Sequence, residues 1–368
     1  MSKAYIGLIS GTSADAIDAV AISIDDENNI SQLASRAYPV DDALRTKIFS
    51  IQKDTIDLSQ LGELDTRLGE AFAEAALGLI RQHNLDIRQI HAIGSHGQTI
   101  KHDTECAHPY SLQIGNPSII AERTQITTVA DFRRRDIAAG GQGAPLVPAF
   151  HQAWLGKLDN SVVLNMGGIA NITVLDSQGT QPRLGFDTGP ANTLLDSWSR
   201  RHLDKSFDES GQWASGGTLH QPLLNSLMKH PYFRKVPPKS ADISQFSLSW
   251  LQNFLQLFPD ISAQDVAATL VELTVSSIQQ ALAAWACNTQ QVIACGGGCK
   301  NDFLMQELAK RIYPIRLTTS VEYGIGVDWV EATAFAWLAR QTLLKKPGNA
   351  HHSTGAKHPC VLGGVYYK

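Results

Sequence analysis

The sequence predicts a two-domain α/β protein, and three observations carry that prediction. Apolar runs of strand length end in glycine-marked turns three times, at residues 10–13, 166–170 and 296–298. Segments with helical spacing stand between them, the clearest being Leu58, Leu61, Leu64, Leu68, Phe72, Ala75 and Leu79. The chain of 368 residues, 43% hydrophobic and 18% charged, exceeds one ordinary domain and suffices for two buried cores.

Taken in order, Tyr5 to Ile9 and Ile17 to Ile24 read as the arms of a β-hairpin with Ser10-Gly11-Thr12-Ser13 at its tip. The tip offers backbone amides and hydroxyls with Asp15 and Asp18 close behind, a set that suits a phosphate chain or a metal and equally suits an ordinary polar turn. A third strand is expected within 31–40, then helices near 41–52 and 58–83. Ile90 to Ile93 reads as a short strand entering a loop, Gly94-Ser95-His96-Gly97-Gln98-Thr99, of the kind that contacts ligands. Ser111 to Ile114 is a strand, and Pro117 is placed to start a helix. After a strand at 126–130, residues 131–145 read as a long glycine-rich loop, either lining a cleft or crossing between domains.

The second half repeats the plan of the first: strand Ser161 to Asn165, a turn through Gly167 and Gly168, and a return strand to Leu175. Asp187 is read at a strand end before a helix, where the choice lies between an acid that does chemistry and a helix cap. Residues 207–262 read as an insertion. Ala263 to Ala286 is a long apolar helix, buried on most sides. Strand 291–295, then Gly296, Gly297 and Gly298, then a helix from Phe303 is a nucleotide-site plan, because glycine lets a base or phosphate approach backbone. The last helix, from about Gly326, carries Asp328 and Glu331 at its start, as dipole partners or as nucleotide-facing acids.

Net charge of -4 gives no electrostatic case for nucleic acid or for an anionic membrane. No apolar stretch reads as a membrane span, and the N-terminus enters a strand with no room for a signal peptide. Five scattered cysteines suit a reducing cytoplasm. His102, Cys106 and His108 approach metal-ligand spacing but read as a polar loop. Three glycine turns, an isolated acid and no nucleophile with a base beside it suit phosphoryl transfer, with magnesium between the phosphates.

Seven motifs, in order over nearly the whole chain, resemble the anhydro-N-acetylmuramic acid kinase family. They are Ser10 to Asp18, Gly94 to Thr99, Leu112 to Gly115, Asp131 to Arg134, Asn165 to Asn171, Phe186 to Asn192 and Gly296 to Gly298. The resemblance implies an actin/hexokinase-like (ribonuclease H-like) ATPase fold of two α/β domains with a cleft between them. The expected division is 1–130 plus about 335–368, and 131–334. ATP would be met by Gly11, Thr12, Ser13, Ala14, Asp15, Ala16, Ile17 and Asp18, by Gly167 and Gly168, and by Gly296 to Gly298. The family opens the 1,6-anhydro ring of anhydro-N-acetylmuramic acid and phosphorylates O6, a step of peptidoglycan recycling. Asp187 would be its general base, taking a proton from the attacking water.

His96, Gln98, Arg133 and Arg134 are the expected sugar contacts, the arginines for the carboxylate of the lactyl group, with Glu331 or Asp15 at magnesium. The resemblance further implies a homodimer, while the cysteines and net charge lead us to expect a cytoplasmic protein without nucleic-acid or membrane partners. The family usually has Gly where this chain has Ala16, and Met where it has Ile9. If position 16 needs a positive φ, Ala16 is strained. The rival readings are a kinase of another anhydrosugar such as levoglucosan, and a non-catalytic actin-like nucleotide switch.

Overall fold

The computed structural model describes residues 3–11, 13–53 and 57–368. Contacts divide the chain into two units, Met1–Trp154 with Trp329–Lys368, and Leu155–Asp328.

The first unit opens with β1 (Lys3–Ser10), β2 (Ala16–Ile24) and β3 (Ile30–Pro39), followed by α1 (Asp42–Lys53) and α2 (Leu58–Gln82). Then come β4 (Ile90–Asp103), β5 (Tyr110–Ile114), α3 (Pro117–Thr124), β6 (Thr128–Ala130), α4 (Phe132–Ala138) and α5 (Val147–Leu155). The second unit carries β7 (Ser161–Met166), β8 (Ile169–Val174), β9 (Leu184–Pro190) and α6 (Asn192–Leu203). Short helices α7 (Gln212–Ser215), α8 (Gln221–Leu227) and α9 (Leu248–Leu255) lead to α10 (Ala263–Trp285), β10 (Gln291–Cys295), α11 (Asp302–Ile312) and β11 (Arg316–Thr319). The chain returns to the first unit with α12 (Val330–Leu343), α13 (His351–Thr354) and β12 (Gly364–Tyr366).

Both sheets share one plan. The first runs β3-β2-β1-β4-β6 with β12 beyond, and the second runs β9-β8-β7-β10-β11. In each, the first three strands form an antiparallel meander and the next two lie parallel to the first. With β5 set aside as an extra strand paired to β4, both units follow the order 3-2-1-4-5, the ribonuclease H-like plan, and its occurrence twice is the duplication that the two hairpins suggested.

β1 is buried on both faces from Tyr5 onward, as a central strand must be. One face meets α2, whose Leu64, Leu68, Phe72, Ala76 and Leu79 join the first core. The other face meets α12 so closely that only glycine fits. A Cβ at Gly7 would lie 1.8 Å from the Ala332 carbonyl oxygen, and one at Gly94 would lie 2.0 Å from that of Phe335. In the second unit α10 is the core helix, with Leu270, Leu273 and Ile278 wholly or almost wholly buried.

Several expectations need correction. Gly94 to Thr99 is no loop: β4 continues through it because β1 pairs on one side and β5 on the other. Residues 131–145 include a helix, α4, and the wholly buried Asp136 ties it to the end of the chain. Its Oδ1 accepts from Asn349 Nδ2 at 2.7 Å and Thr354 Oγ1 at 2.8 Å, while Oδ2 accepts from the Gly143 amide at 2.8 Å. These bonds keep residues 131–154 in the first unit, so the division falls at Trp154 and Asp328 rather than at 130 and 334. Asp187 sits in the middle of β9, not at a strand end. Finally, α10 is long and apolar enough by length and composition to cross a membrane, although most of it is buried within the protein.

Candidate functional site

In the first unit the β1–β2 connection is a tight turn braced from beneath. The Gly11 carbonyl accepts from the Ala14 amide at 3.1 Å. Gln98, wholly buried on β4, accepts from Ser10 Oγ at 2.6 Å and donates to the Gly11 carbonyl at 3.3 Å. Its amide therefore serves the turn, which the sequence did not show. Ala14 is also wholly buried and holds φ of 48°, so the left-handed position in this turn is residue 14. Ala16 is the first residue of β2, opposite Pro39, and is not among the positive-φ residues; the expected strain there is absent. Ser13 Oγ donates to Asp15 Oδ1, and both residues are exposed. Ile17 packs in the core, which leaves it only backbone to offer, and Asp18 lies half-buried opposite Ile9. Thr12 lies outside the described residues.

His96 and Arg133 come together in the same unit. Arg133 Nε donates to His96 Nε2 at 3.0 Å, and its Nη1 donates to the Gly143 carbonyl at 2.7 Å. His96 Nδ1 lies 3.0 Å from the Gly97 carbonyl, which assigns the proton to Nδ1 and keeps Nε2 an acceptor. Burial against Phe335 and the adjacent guanidinium hold His96 well below its ordinary value, so it is neutral. Burial lowers Arg133 to about 10, opposed by Glu331 and Asp136, and the group stays charged. Glu331, in the first turn of α12, is thus brought near Arg133. Arg134 points elsewhere: it is exposed and pairs with Asp131 at 3.4 Å. Asp131 and Arg134 form a surface pair, whereas half-buried Arg133 bonds to the buried His96.

In the second unit the Gly167-Gly168 turn and the Gly296 to Gly298 turn share one neighbour, Met166. A Cβ on Gly296 would meet the Met166 carbonyl oxygen at 2.8 Å and Asn165 Oδ1 at 2.5 Å, and φ there is 86°. Asn192, at the start of α6, donates to the same Met166 carbonyl at 3.1 Å. The Gly167 carbonyl accepts from Asn192 N, and the Gly168 carbonyl from Ala191 N and Thr193 N, at 3.0 to 3.1 Å. Those bonds satisfy the first amides of α6. The hairpin tip, rather than the helix start, is therefore the edge with amides to offer.

Asp187 is half-buried on β9, the edge strand of this sheet. A segment of the 207–262 region runs along that edge and grips it three times. Tyr232 donates its hydroxyl to the Asp187 carbonyl at 2.7 Å, the Asp187 amide donates to the Lys239 carbonyl at 3.2 Å, and the Ala241 amide donates to Asp187 Oδ2 at 2.8 Å. Burial raises the carboxyl to about 6, against the Ala241 amide and Lys239, which favour the ionised form. Asp187 caps no helix; the residue before α6 is Ala191, and it makes no side-chain cap bond. Tyr232 and Lys239 were not foreseen. The sequence offered only the Pro237-Pro238-Lys239 stretch, whose place beside β9 depends on long-range packing.

Among the described residues no group of three or more His, Cys, Asp or Glu could hold a metal. Magnesium at a nucleotide needs less, since it takes one or two carboxylates along with waters and phosphate oxygens. Asp15, exposed beside the turn, fits that requirement.

The family model for anhydro-N-acetylmuramic acid kinase matches residues 3–368. The chain belongs to the anhydro-N-acetylmuramic acid kinase family. Relatives bearing that name in Coxiella burnetii strains RSA 493 / Nine Mile phase I and Dugway 5J108-111 are each 45% identical over 367 residues, covering 99% of this chain and 97% of the relative. Membership makes the chain a phosphotransferase and sets aside the non-catalytic readings. Among solved structures, a Streptomyces griseus ROK family glucokinase in complex with glucose and AMPPNP is similar at 13% identity and TM-score 0.42, covering 92% of this chain and 99% of that one. The activator of the 2-hydroxyisocaproyl-CoA dehydratase from Clostridium difficile, with bound ADPNP, is similar at 11% identity and TM-score 0.43, covering 93% and 97%.

Proposed function

We propose that the protein uses ATP to open the 1,6-anhydro ring of anhydro-N-acetylmuramic acid and phosphorylate its O6, with Asp187 as general base. In the reaction the Asp187 carboxylate takes one proton from a water molecule. The water oxygen bonds to the anomeric carbon, the bond from that carbon to O6 breaks, and O6 bonds to the γ-phosphorus as ADP leaves. The products are N-acetylmuramic acid 6-phosphate and ADP.

Family membership supports the reaction, and the hold on Asp187 along β9 together with its environment supports its role as base. A base must be ionised at working pH yet basic enough to accept a proton, and a carboxyl raised to about 6 meets both demands near neutrality. The three contacts along β9 hold it in one position, as proton transfer requires.

Local geometry supports the remaining proposed roles. The Gly11 to Asp15 turn and the Gly167-Gly168 tip offer amides for phosphate oxygens, and the open face of Gly297 suits the adenosine. Magnesium, held at Asp15, would neutralise charge on the phosphates. Ala16, Ile17 and Asp18 contribute backbone behind the turn. Gln98 acts through the turn rather than on the sugar. Charged Arg133, held in place by neutral His96, is the better candidate for the lactyl carboxylate than the surface Arg134. The five free cysteines are compatible with a reducing cytoplasm, which this reading takes as the protein's location.

The test is ATP-dependent phosphate transfer to anhydro-N-acetylmuramic acid and to levoglucosan, by wild type and Asp187→Asn. The muramic sugar is the expected acceptor, and the variant should lose at least about 100-fold in kcat. Preference for levoglucosan would overturn the substrate, and an active Asp187→Asn enzyme would overturn the base.

A further inference from the structure

Lys239 is an unusual lysine. Only 9% of it is exposed, and no carboxylate pairs with it among the described salt bridges. Its ammonium donates to the Tyr232 carbonyl at 3.3 Å and lies over two rings, 4.7 Å from the centre of Tyr232 and 5.5 Å from that of Phe186. An ammonium in such a place keeps its charge only through compensating contacts, and ring faces supply part of them. A cavity of about 40 Å³, lined by Thr188, Phe233, Lys239, Ser277, Gln280 and Trp285, adds room for hydrating water. The same residue's carbonyl takes the Asp187 amide, and two residues on, the Ala241 amide holds Asp187 Oδ2. One short segment therefore fixes the main chain of Asp187, one of its carboxylate oxygens and a buried positive charge in its vicinity.

We infer that Lys239 is a positioning residue for the general base, its main chain locking Asp187 against the edge of β9 and its caged ammonium supplying positive charge to that carboxylate. This rests on the reading of Asp187 as the base. The electrostatics agree with the geometry. Lys239 favours the ionised form of Asp187 against burial, and Asp187 in turn supports the charge of Lys239. The other ionisable groups acting on the pair are Tyr232 and Lys235. Burial and the Asp187 charge hold the Tyr232 phenol far above its ordinary value, so it stays protonated, while Lys235 disfavours the Lys239 charge. Without Lys239 the carboxyl would rise further, and a larger share of the enzyme would be protonated and inactive near neutral pH.

The experiment is the pH profile of kcat/KM for the anhydrosugar in wild type, Lys239→Met, Lys239→Arg and Asp187→Asn. Lys239→Met should move the acidic limb upward by about one unit, and Lys239→Arg should largely restore it, with KM for ATP changed less than about twofold. A merely structural role would lower activity equally at every pH and leave the limb in place. A folded Lys239→Met with an unmoved limb overturns the inference while leaving Asp187 as base. An active Asp187→Asn removes the base reading itself. Should Lys239→Met not fold, the lysine 13Cε resonances of wild type and Asp187→Asn are compared. A lysine signal with an inflection at the pH of the acidic limb, lost in Asp187→Asn, supports the inference; no such signal in wild type overturns it.

Discussion

The phenol of Tyr232 donates a 2.7 Å hydrogen bond to the main-chain carbonyl of Asp187. An edge strand has no further strand to satisfy its outer row of backbone groups. Here a side chain and the Lys239 carbonyl take that role at one residue, and that residue is the candidate base. Tyr232→Phe keeps the buried ring and deletes the bond. It should destabilise the second unit by about 1–2 kcal/mol and lower kcat more than it raises KM. Thermal melting beside steady-state kinetics checks both parts.

Asp187→Asn should make the protein more stable while removing its activity. The folded carboxyl titrates at about 6, above the ordinary 3.8, so the folded state holds its proton more tightly than the unfolded one. Stability is therefore greatest below about 4 and falls as pH rises toward 6, by up to about 3 kcal/mol for this group. The gain from Asp187→Asn should appear above pH 6 and vanish in acid. Melting curves at several pH values decide it, and equal gains at all pH would count against the burial argument.

Gly296 and Gly297 should respond differently to alanine. Gly296 combines φ of 86° with a backbone oxygen 2.8 Å from any added Cβ, so Gly296→Ala should destabilise by about 2 kcal/mol or more. At Gly297 the nearest atom to an added Cβ is Asn192 Nδ2 at 3.8 Å. Gly297→Ala should melt within about 0.5 kcal/mol of wild type, with its effect confined to nucleotide affinity. Melting and nucleotide titration separate the two.

Arg133 and Arg134 are adjacent in sequence and opposite in circumstance. Arg133→Met leaves the Gly143 carbonyl and His96 Nε2 without their donor, at about 2–4 kcal/mol. Arg134→Met, which loses only an exposed ion pair with Asp131, should change stability by less than about 1 kcal/mol. A low-melting Arg134 variant would contradict this division.

Local signals told most where a residue's role depends on its immediate neighbours. The opening hairpin could be read because apolar runs flank a small-polar tip, and the helix at Pro117 because proline suits a first turn and Asn116 caps it. Position 187 could be read as an acid out of place in a core. What failed were features set by distant partners. Gly94 to Thr99 has the composition of a loop, yet strands on both sides extend it as β4. Gln98 looked like a ligand group until Ser10, 88 residues away, claimed its amide oxygen. Ala16 drew attention by its type alone, whereas the left-handed residue is Ala14, two residues earlier. Lys239 was invisible for the same reason: Phe186 and Asp187, against which it packs and bonds, lie on the distant strand β9.

The arrangement of α12 against Gly7 and Gly94 has a bearing on how the protein is made. The second unit is one unbroken stretch, Leu155–Asp328, and can close its core as soon as that stretch leaves the ribosome. The first unit is begun earlier but lacks α12, β12 and the Asn349 and Thr354 partners of Asp136 until residues 329–368 have followed the second unit. The half of the enzyme that is translated first is thus the half that is finished last. Until then Gly7 of β1 and Gly94 of β4 lack the helix that packs upon them.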